Sequence, residues 1–181
     1  MFNSFYFVRH GETEWNKNNI FQGHNDIPLN ESGRKQAQDK HNIFVTHKNI
    51  KFFSSPLQRA KETAQIITDN NPDITLIPEF MECNSLQGAT YLLQKKGVTN
   101  YPSMENLDPN GEPPHIYIEK VRKGLEIMFS QAKQKTPILF AHGGTCAAIC
   151  EALDLNVFKT PNCSIFYFKY RNQRYEVEKY D

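Results

Sequence analysis

Three short stretches of the 181-residue chain bring histidine, arginine and glycine together in ways that suit chemistry on an anion. The first is Arg9-His10-Gly11, directly after the aromatic run Phe5–Val8. That run reads as a short buried strand, and in an open α/β sheet ligands bind just past the carboxyl ends of strands. An imidazole there can act as nucleophile toward phosphorus, and the neighbouring guanidinium can grip phosphoryl oxygens in bidentate fashion. Gly11 lets the backbone turn tightly beside the ring. The second stretch is Ser55-Pro56-Leu57-Gln58-Arg59, after a strand at Lys51–Ser54. Ser55 suits a helix cap, Pro56 the first helical position, and Gln58 completes a capping box. Arg59 is therefore expected in the first turn of a helix, whose N-terminus favours anions. The third is His142-Gly143-Gly144, between the apolar strand Pro137–Ala141 and a helical run through Ala152. Its two glycines allow close backbone approach to an anion at the helix start.

The elements that must position these groups are legible to different degrees. Asn30 is an N-cap for a helix over 31–46, with Ala37, His41, Phe44 and Val45 on its apolar face. Ile74–Ile77 reads as a third strand. Ile118, Val121, Leu125, Met128 and Ala132 mark a helix from about Pro114. Ile165–Tyr170 and Tyr175–Lys179 alternate as a hairpin around Arg171-Asn172-Gln173-Arg174. Residues 89–113 carry little pattern: a short helix ending near Gly97 and a Pro/Asn/Gly-rich loop from Asn106 to Pro114.

Length and composition bound the rest. One domain spanning residues 1–181 is expected. The formal net charge of +1 offers no global attraction to nucleic acid or to a membrane surface, so anion binding must be local. No apolar run approaches a membrane span, and no basic segment leads into a long apolar one, so the expected compartment is the cytoplasm. Cys83, Cys146, Cys150 and Cys163 form no Cys-x-x-Cys pair and have no matching histidine spacing. They read as small buried hydrophobes. The expectation is no metal, no cofactor, and no nucleic-acid or membrane partner.

Extended, the first motif is Arg9-His10-Gly11-Glu12-Thr13-Glu14-Trp15-Asn16. It resembles the opening of the histidine phosphatase superfamily, the phosphoglycerate mutase-like enzymes. Ser55, Arg59, Thr63 and Ala64 resemble a second block of that family, and the strand before His142-Gly143 a third. The resemblance implies an α/β fold: a three-layer α/β/α sandwich with a mostly parallel central sheet and an antiparallel terminal edge. It implies that Arg59 is the second phosphate clamp, and that Asn16, Gln22, Gly23 and Gly143 meet the substrate. A leucine-x-glutamate that supplies the general acid in the family is matched by Phe80-Met81-Glu82, giving Glu82 that role with Glu79 as its rival. His24 reads as a solvated loop residue, and Asn162 stands where the family often has an asparagine near the site. The match departs from the family where Leu86-Gln87-Gly88 arrives early and Pro113 replaces a serine. An arginine expected further on is replaced by Lys120 or Arg122.

Together these residues suit a metal-independent phosphomonoesterase acting on a small phosphorylated metabolite through a phosphohistidine on His10. His142 would bond the equatorial oxygens of the transition state. A cofactor-dependent phosphoglycerate mutase is the alternative. Mutases of this family shield the phosphohistidine from water with a longer insertion after the acid. Only about 55 residues separate Glu82 from Pro137, which favours hydrolysis. A non-catalytic phosphate-binding module ranks third, because no motif residue is lost. For oligomeric state, a homodimer is the base-rate expectation only.

Overall fold

The run Phe5–Val8 is apolar at every position because both of its faces are covered. Phe5 and Phe7 belong to one hydrophobic cluster, Tyr6 and Val8 to another on the opposite side. The same alternation recurs at Phe53 and Phe52, at Leu139 and Ile138, and at Phe166 and Ile165, as a period of two along each strand requires. The computed structural model describes residues 3–71 and 73–181. In chain order the elements are β1 (Phe5–Arg9), α1 (Glu14–Lys17), α2 (Glu31–Gln38), β2 (Ile50–Ser54), α3 (Gln58–Ile67), β3 (Thr75–Leu76), α4 (Leu86–Lys95), α5 (Pro114–Ala132), β4 (Thr136–Ala141), α6 (Gly143–Ala152), β5 (Ile165–Arg171) and β6 (Arg174–Lys179). A 3-10 turn, Pro78–Phe80, precedes α4.

The strands form one sheet in the order β3-β2-β4-β1-β5-β6. β1, β2, β3 and β4 run parallel, and β5 and β6 run antiparallel at the edge. Residues of α4, α5 and α6 pack in the first cluster, and residues of α2 and α3 in the second. The result is the three-layer α/β/α arrangement with an antiparallel edge. The closing hairpin turns at Asn172 and Gln173, both at positive φ (49° and 64°), the twist a two-residue hairpin loop requires.

Parallel pairing sets the site. Arg9 is in register with Ala141, and Ser54 with Phe140, so His10, Ser55 and His142 leave the same end of the sheet side by side. Backbone bonds fix that exit: His10 N–H donates to Ala141 O (3.0 Å) and Ser55 N–H to Phe140 O (2.9 Å).

Two local expectations are corrected. The helix after Asn30 stops at Gln38 rather than 46; the chain then runs through turns, with Asn42 at φ 60°. Val45, placed on the apolar face of the longer helix, is exposed. Asn30 does cap α2, accepting from Gly33 N–H at 2.8 Å. The capping box expected at Ser55–Gln58 is absent, because α3 begins at Gln58 with Leu57 as its N-cap residue. The carboxylate of Asp26, from a distant loop, takes the first-turn Gln58 N–H instead (2.6 Å).

One close approach ties α2 to the first motif. A Cβ on Gly33 would lie 2.0 Å from the backbone oxygen of Glu12, and one on Gly11 would lie 2.5 Å from Gly33 O. Both obstacles are main chain and cannot swing aside. Gly33→Ala is therefore expected to destabilise the fold by about 3 kcal/mol, the upper end of overpacking. It should also displace the Gly11–Glu12 turn beside His10. Urea unfolding checks this; an unchanged midpoint contradicts the close approach.

Candidate active site

At the carboxyl ends of β1 and β4 lies a pocket of about 430 Å³. Arg9, His10, Asn16, Gln22, Arg59 and Glu82 all line it. The chain thus gathers at one place residues from five separate segments.

His10 comes directly off β1 and is buried. Its Nδ1 lies 2.7 Å from Gly11 O. A carbonyl can only accept, so Nδ1 carries the proton and Nε2 keeps its lone pair. Gly11 N–H in turn donates to Thr63 Oγ1 (3.0 Å), whose hydroxyl donates to Arg59 O (2.7 Å). That chain joins the His10 turn to the helix carrying Arg59. His142 is fully buried, its ring centroid 5.2 Å from that of His10. Its Nε2 is 2.8 Å from Ser55 Oγ. Ser55 Oγ also accepts from Leu57 N–H (3.3 Å), and its hydroxyl can either donate to Nε2 or accept from it. Nδ1 of His142 has no partner among the described residues.

The guanidiniums are half spoken for. Arg9 donates through NH1 to Thr160 O (2.6 Å). Arg59, with no exposed surface, donates to Asn25 O and Gly23 O, both at 2.9 Å. In both residues Nε is buried without a partner among the described residues. Two cationic donors at the pocket therefore remain for an anion, the arrangement that holds phosphoryl oxygens. Burial lowers the Arg59 pKa to about 10, against the opposing fields of Glu82 and Asp26, so it stays charged at neutral pH.

Glu82 projects its carboxylate onto the start of α6: Oε2 accepts from Gly144 N–H (3.0 Å) and Oε1 from Cys83 N–H (2.9 Å). A Cβ on Gly144 would stand 2.1 Å from Oε1, so any side chain there would push the Glu82 carboxylate off this N–H. Glu79 lies in the 3-10 turn, with its Cβ against Gly124 of α5, and does not line the pocket. Asn16 takes part in the α1 capping box and accepts from Asn162 Nδ2 (3.1 Å), which also bonds the carbonyls of His10 and Gly11. Gln22 is buried in the pocket wall, and Gly143 lines it beside Arg9. Gly23, expected to meet the substrate, is not part of the pocket lining; its carbonyl accepts from Arg59. Its φ is +52°, and a Cβ there would meet Asn84 Oδ1 at 2.3 Å. His24 is exposed; its backbone N–H donates to Asn84 Oδ1 (2.8 Å), and its ring feels the charges of Lys120, Glu112 and Glu82.

Several residues escaped sequence reasoning. Lys96, at the C-cap of α4, lines the pocket and donates to Gly143 O (2.6 Å). Lys159 lies at the same pocket. The unpatterned segment after Gly97 closes one wall: Ser103 pairs with the 19–21 strand-like stretch (Phe21 N–H to Ser103 O, 2.8 Å). Val98 and Pro102 line the pocket together with Ile20, Phe21 and Leu93. None of these carries a motif, since each acts through a partner distant in sequence.

Burial, followed by the fields of Arg59 and Arg9, holds His10 well below the ordinary histidine pKa; burial and Arg59 do the same to His142. Both rings are therefore neutral at pH 7. The unfolded chain protonates its histidines near pH 6.5, and the folded chain only well below. Stability is thus expected to fall as pH drops below about 6.5, because the unfolded state binds protons the folded state refuses. Two such groups give a slope of at most about 2.7 kcal/mol per pH unit. Urea midpoints at pH 7.5 and 5.5 measure it, and His142→Asn should flatten the dependence. A midpoint that does not move would show that the two rings are not held neutral.

The sequence profile of the histidine phosphatase superfamily (branch 1) matches residues 5–181, and the chain belongs to that superfamily. The proteins it resembles include both phosphatases and phosphoglycerate mutase-like proteins; among the latter is phosphoglycerate mutase-like protein 4 of Arabidopsis thaliana, 51% identical over 80% of this chain and 68% of that one. The chain is 28% identical to a protein named uncharacterized phosphatase PhoE of Bacillus subtilis, over 96% of this chain and 92% of that one. It is 29% identical to the metal-independent phosphoserine phosphatase of Arabidopsis thaliana, over 96% of this chain and 79% of the other. Its fold matches the phosphoserine phosphatase of Entamoeba histolytica with a TM-score of 0.75 at 24% identity, covering 99% and 98% of the two chains. Among the described residues no helix is long and apolar enough to cross a membrane.

Proposed function

We propose that this protein is a cytoplasmic, metal-independent phosphomonoesterase that acts on small phosphorylated metabolites through a phosphohistidine on His10. The observation that carries the reading is the pairing of a neutral His10, its Nε2 lone pair left free by the bond to Gly11 O, with unsatisfied guanidinium donors on Arg9 and Arg59 lining the same pocket and the ring of His142 5.2 Å from that of His10.

In the first step Nε2 forms the N–P bond as the bond from phosphorus to the alcohol oxygen breaks, and protonated Glu82 gives its proton to the departing oxygen. In the second, the Glu82 carboxylate takes a proton from water, whose oxygen bonds phosphorus as the N–P bond breaks. Arg9, Arg59 and His142 hold the non-bridging oxygens throughout, where charge develops. Two guanidiniums do what a metal does in other phosphatases, so the reading requires none. The apolar wall of Ile20, Phe21, Leu93, Val98 and Pro102 gives the alcohol portion a place to rest.

The test is release of inorganic phosphate in EDTA from 4-nitrophenyl phosphate and a metabolite panel that includes phosphoserine and 3-phosphoglycerate. Release undiminished by EDTA is expected. Isomerisation of 3-phosphoglycerate without release would replace the hydrolase with a mutase. Tight phosphate binding with neither reaction would leave a binding module.

A further inference from the structure

Lys96 and Glu82 grip the two ends of one peptide group. The carbonyl oxygen of Gly143 accepts from Lys96 Nζ at 2.6 Å, and the N–H of Gly144, across the same planar amide, donates to Glu82 Oε2 at 3.0 Å. The fit is tight at both glycines: a Cβ on Gly143 would stand 3.3 Å from Lys96 Nζ, and one on Gly144 would stand 2.1 Å from Glu82 Oε1 and displace the carboxylate. Among the described residues, the other carboxylate oxygen is held by Cys83 N–H, the residue's own neighbour. The Gly143–Gly144 peptide is therefore the contact that sets where the Glu82 carboxylate points relative to the His10 pocket.

We propose that Lys96 is a positioning residue for Glu82, acting through the Gly143–Gly144 peptide rather than on the substrate. An ammonium on the carbonyl polarises the amide and strengthens its N–H as a donor, the cooperative effect of linked hydrogen bonds in a dry site. It also pins the first peptide of α6, so the carboxylate is held against a fixed plane. Lys96 reaches this place because Ser85 caps α4 immediately after Glu82, accepting from Gly88 N–H at 3.0 Å. The length of α4 then carries Lys96 back to the pocket. Burial lowers the Lys96 pKa, and Glu82 is the largest influence opposing that shift, as expected for two groups sharing one amide. Arg9, Cys146 and Cys150 also face the ammonium, and Arg59 and Tyr117 feel the carboxylate.

The inference rests on Glu82 acting as the acid of the proposed phosphatase reaction, and the leaving group tests it. An alkyl alcohol needs a proton as it departs; 4-nitrophenol hardly does. Lys96→Met is expected to lower the ratio of kcat/KM for glycerol phosphate to that for 4-nitrophenyl phosphate about tenfold, a fraction of what general acid catalysis contributes. Glu82→Gln should lower the same ratio by about 10²-fold or more. In the double variant the ratio should match that of Glu82→Gln within about twofold, since two residues acting through one contact are not additive. Lys96→Arg, which keeps a donor, should restore most of the ratio. If Lys96 instead binds substrate charge, both esters fall alike and the losses multiply with those of Glu82→Gln, which overturns the proposal. A readout independent of turnover is the amide proton of Gly144 by NMR. It should move upfield in Lys96→Met and return in Lys96→Arg; an unmoved resonance also overturns the proposal. Should the unmodified protein hydrolyse neither ester, the phosphatase reading fails, and the Gly144 resonance alone decides the peptide clamp.

Discussion

His10→Ala is expected to lower kcat/KM for phosphate release by about 10⁴-fold or more, the scale on which enzymes lose an attacking nucleophile, while inorganic phosphate still binds. The separation of the two effects follows from the geometry. The backbone at position 10 is held on both sides, His10 N–H on Ala141 O and Cys163 N–H on His10 O, each at 3.0 Å, so truncating the ring leaves the turn in place. Arg9 and Arg59 take their protein contacts from Thr160, Asn25 and Gly23 and not from the imidazole. The anion cradle therefore survives. Removing the ring also takes away a buried polar group that resists protonation, so the acid-induced loss of stability should shrink. Steady-state assays and equilibrium binding of phosphate check the pair of results. Activity within tenfold of the unmodified enzyme would mean that another group attacks phosphorus.

Arg59→Lys is expected to be nearly as damaging as Arg59→Met, although it keeps the charge. The guanidinium spans two carbonyls of the 23–25 loop and retains Nε for an anion. An ammonium on a shorter stem cannot do all three from one point. The loss in kcat/KM should be about 10³-fold, as for removal of one strong transition-state donor. Stability should fall by about 2–3 kcal/mol, because Gly23 O is left buried beside an incomplete partner. The two losses have different causes and different readouts: phosphate release for the first, urea unfolding for the second. A solvated helix arginine would show neither, and that result would remove Arg59 from the cradle.

What could be read from the sequence was local. Arg9, His10 and Gly11 sit directly after an apolar strand, and His142, Gly143 and Gly144 after another, so their place at strand ends followed from strand, turn and helix signals, while the parallel sheet that puts those ends together came from the family resemblance. The placement of Glu82 over Glu79 came from the family pattern, and the structure puts Glu82 on Gly144 and Glu79 against α5. The capping box at Ser55–Gln58 failed because Asp26, 32 positions from Gln58 in the chain, competes for the same N–H. Ser55 turned out to serve His142 instead. Gly33 and Lys96 were invisible for the same reason: each matters through main-chain contacts to a partner far along the chain, and no spacing rule encodes such a contact. The segment after Gly97 has no periodicity because it pairs with another irregular stretch, residues 19–21, and not with the sheet.

The central claim is a covalent phosphoryl group on His10. The most direct measurement is rapid quenching into mild alkali, where phosphohistidine survives, followed by peptide mapping by mass spectrometry. Glu82→Gln should be used in this measurement, since slowing water activation lets the intermediate accumulate. A phosphoryl group on the peptide carrying His10, formed faster than phosphate is released and absent from His10→Ala, is the expected result. Turnover of substrate with no phosphorylated peptide at any time, and with inversion of configuration at phosphorus, would contradict the account and point to direct attack by water.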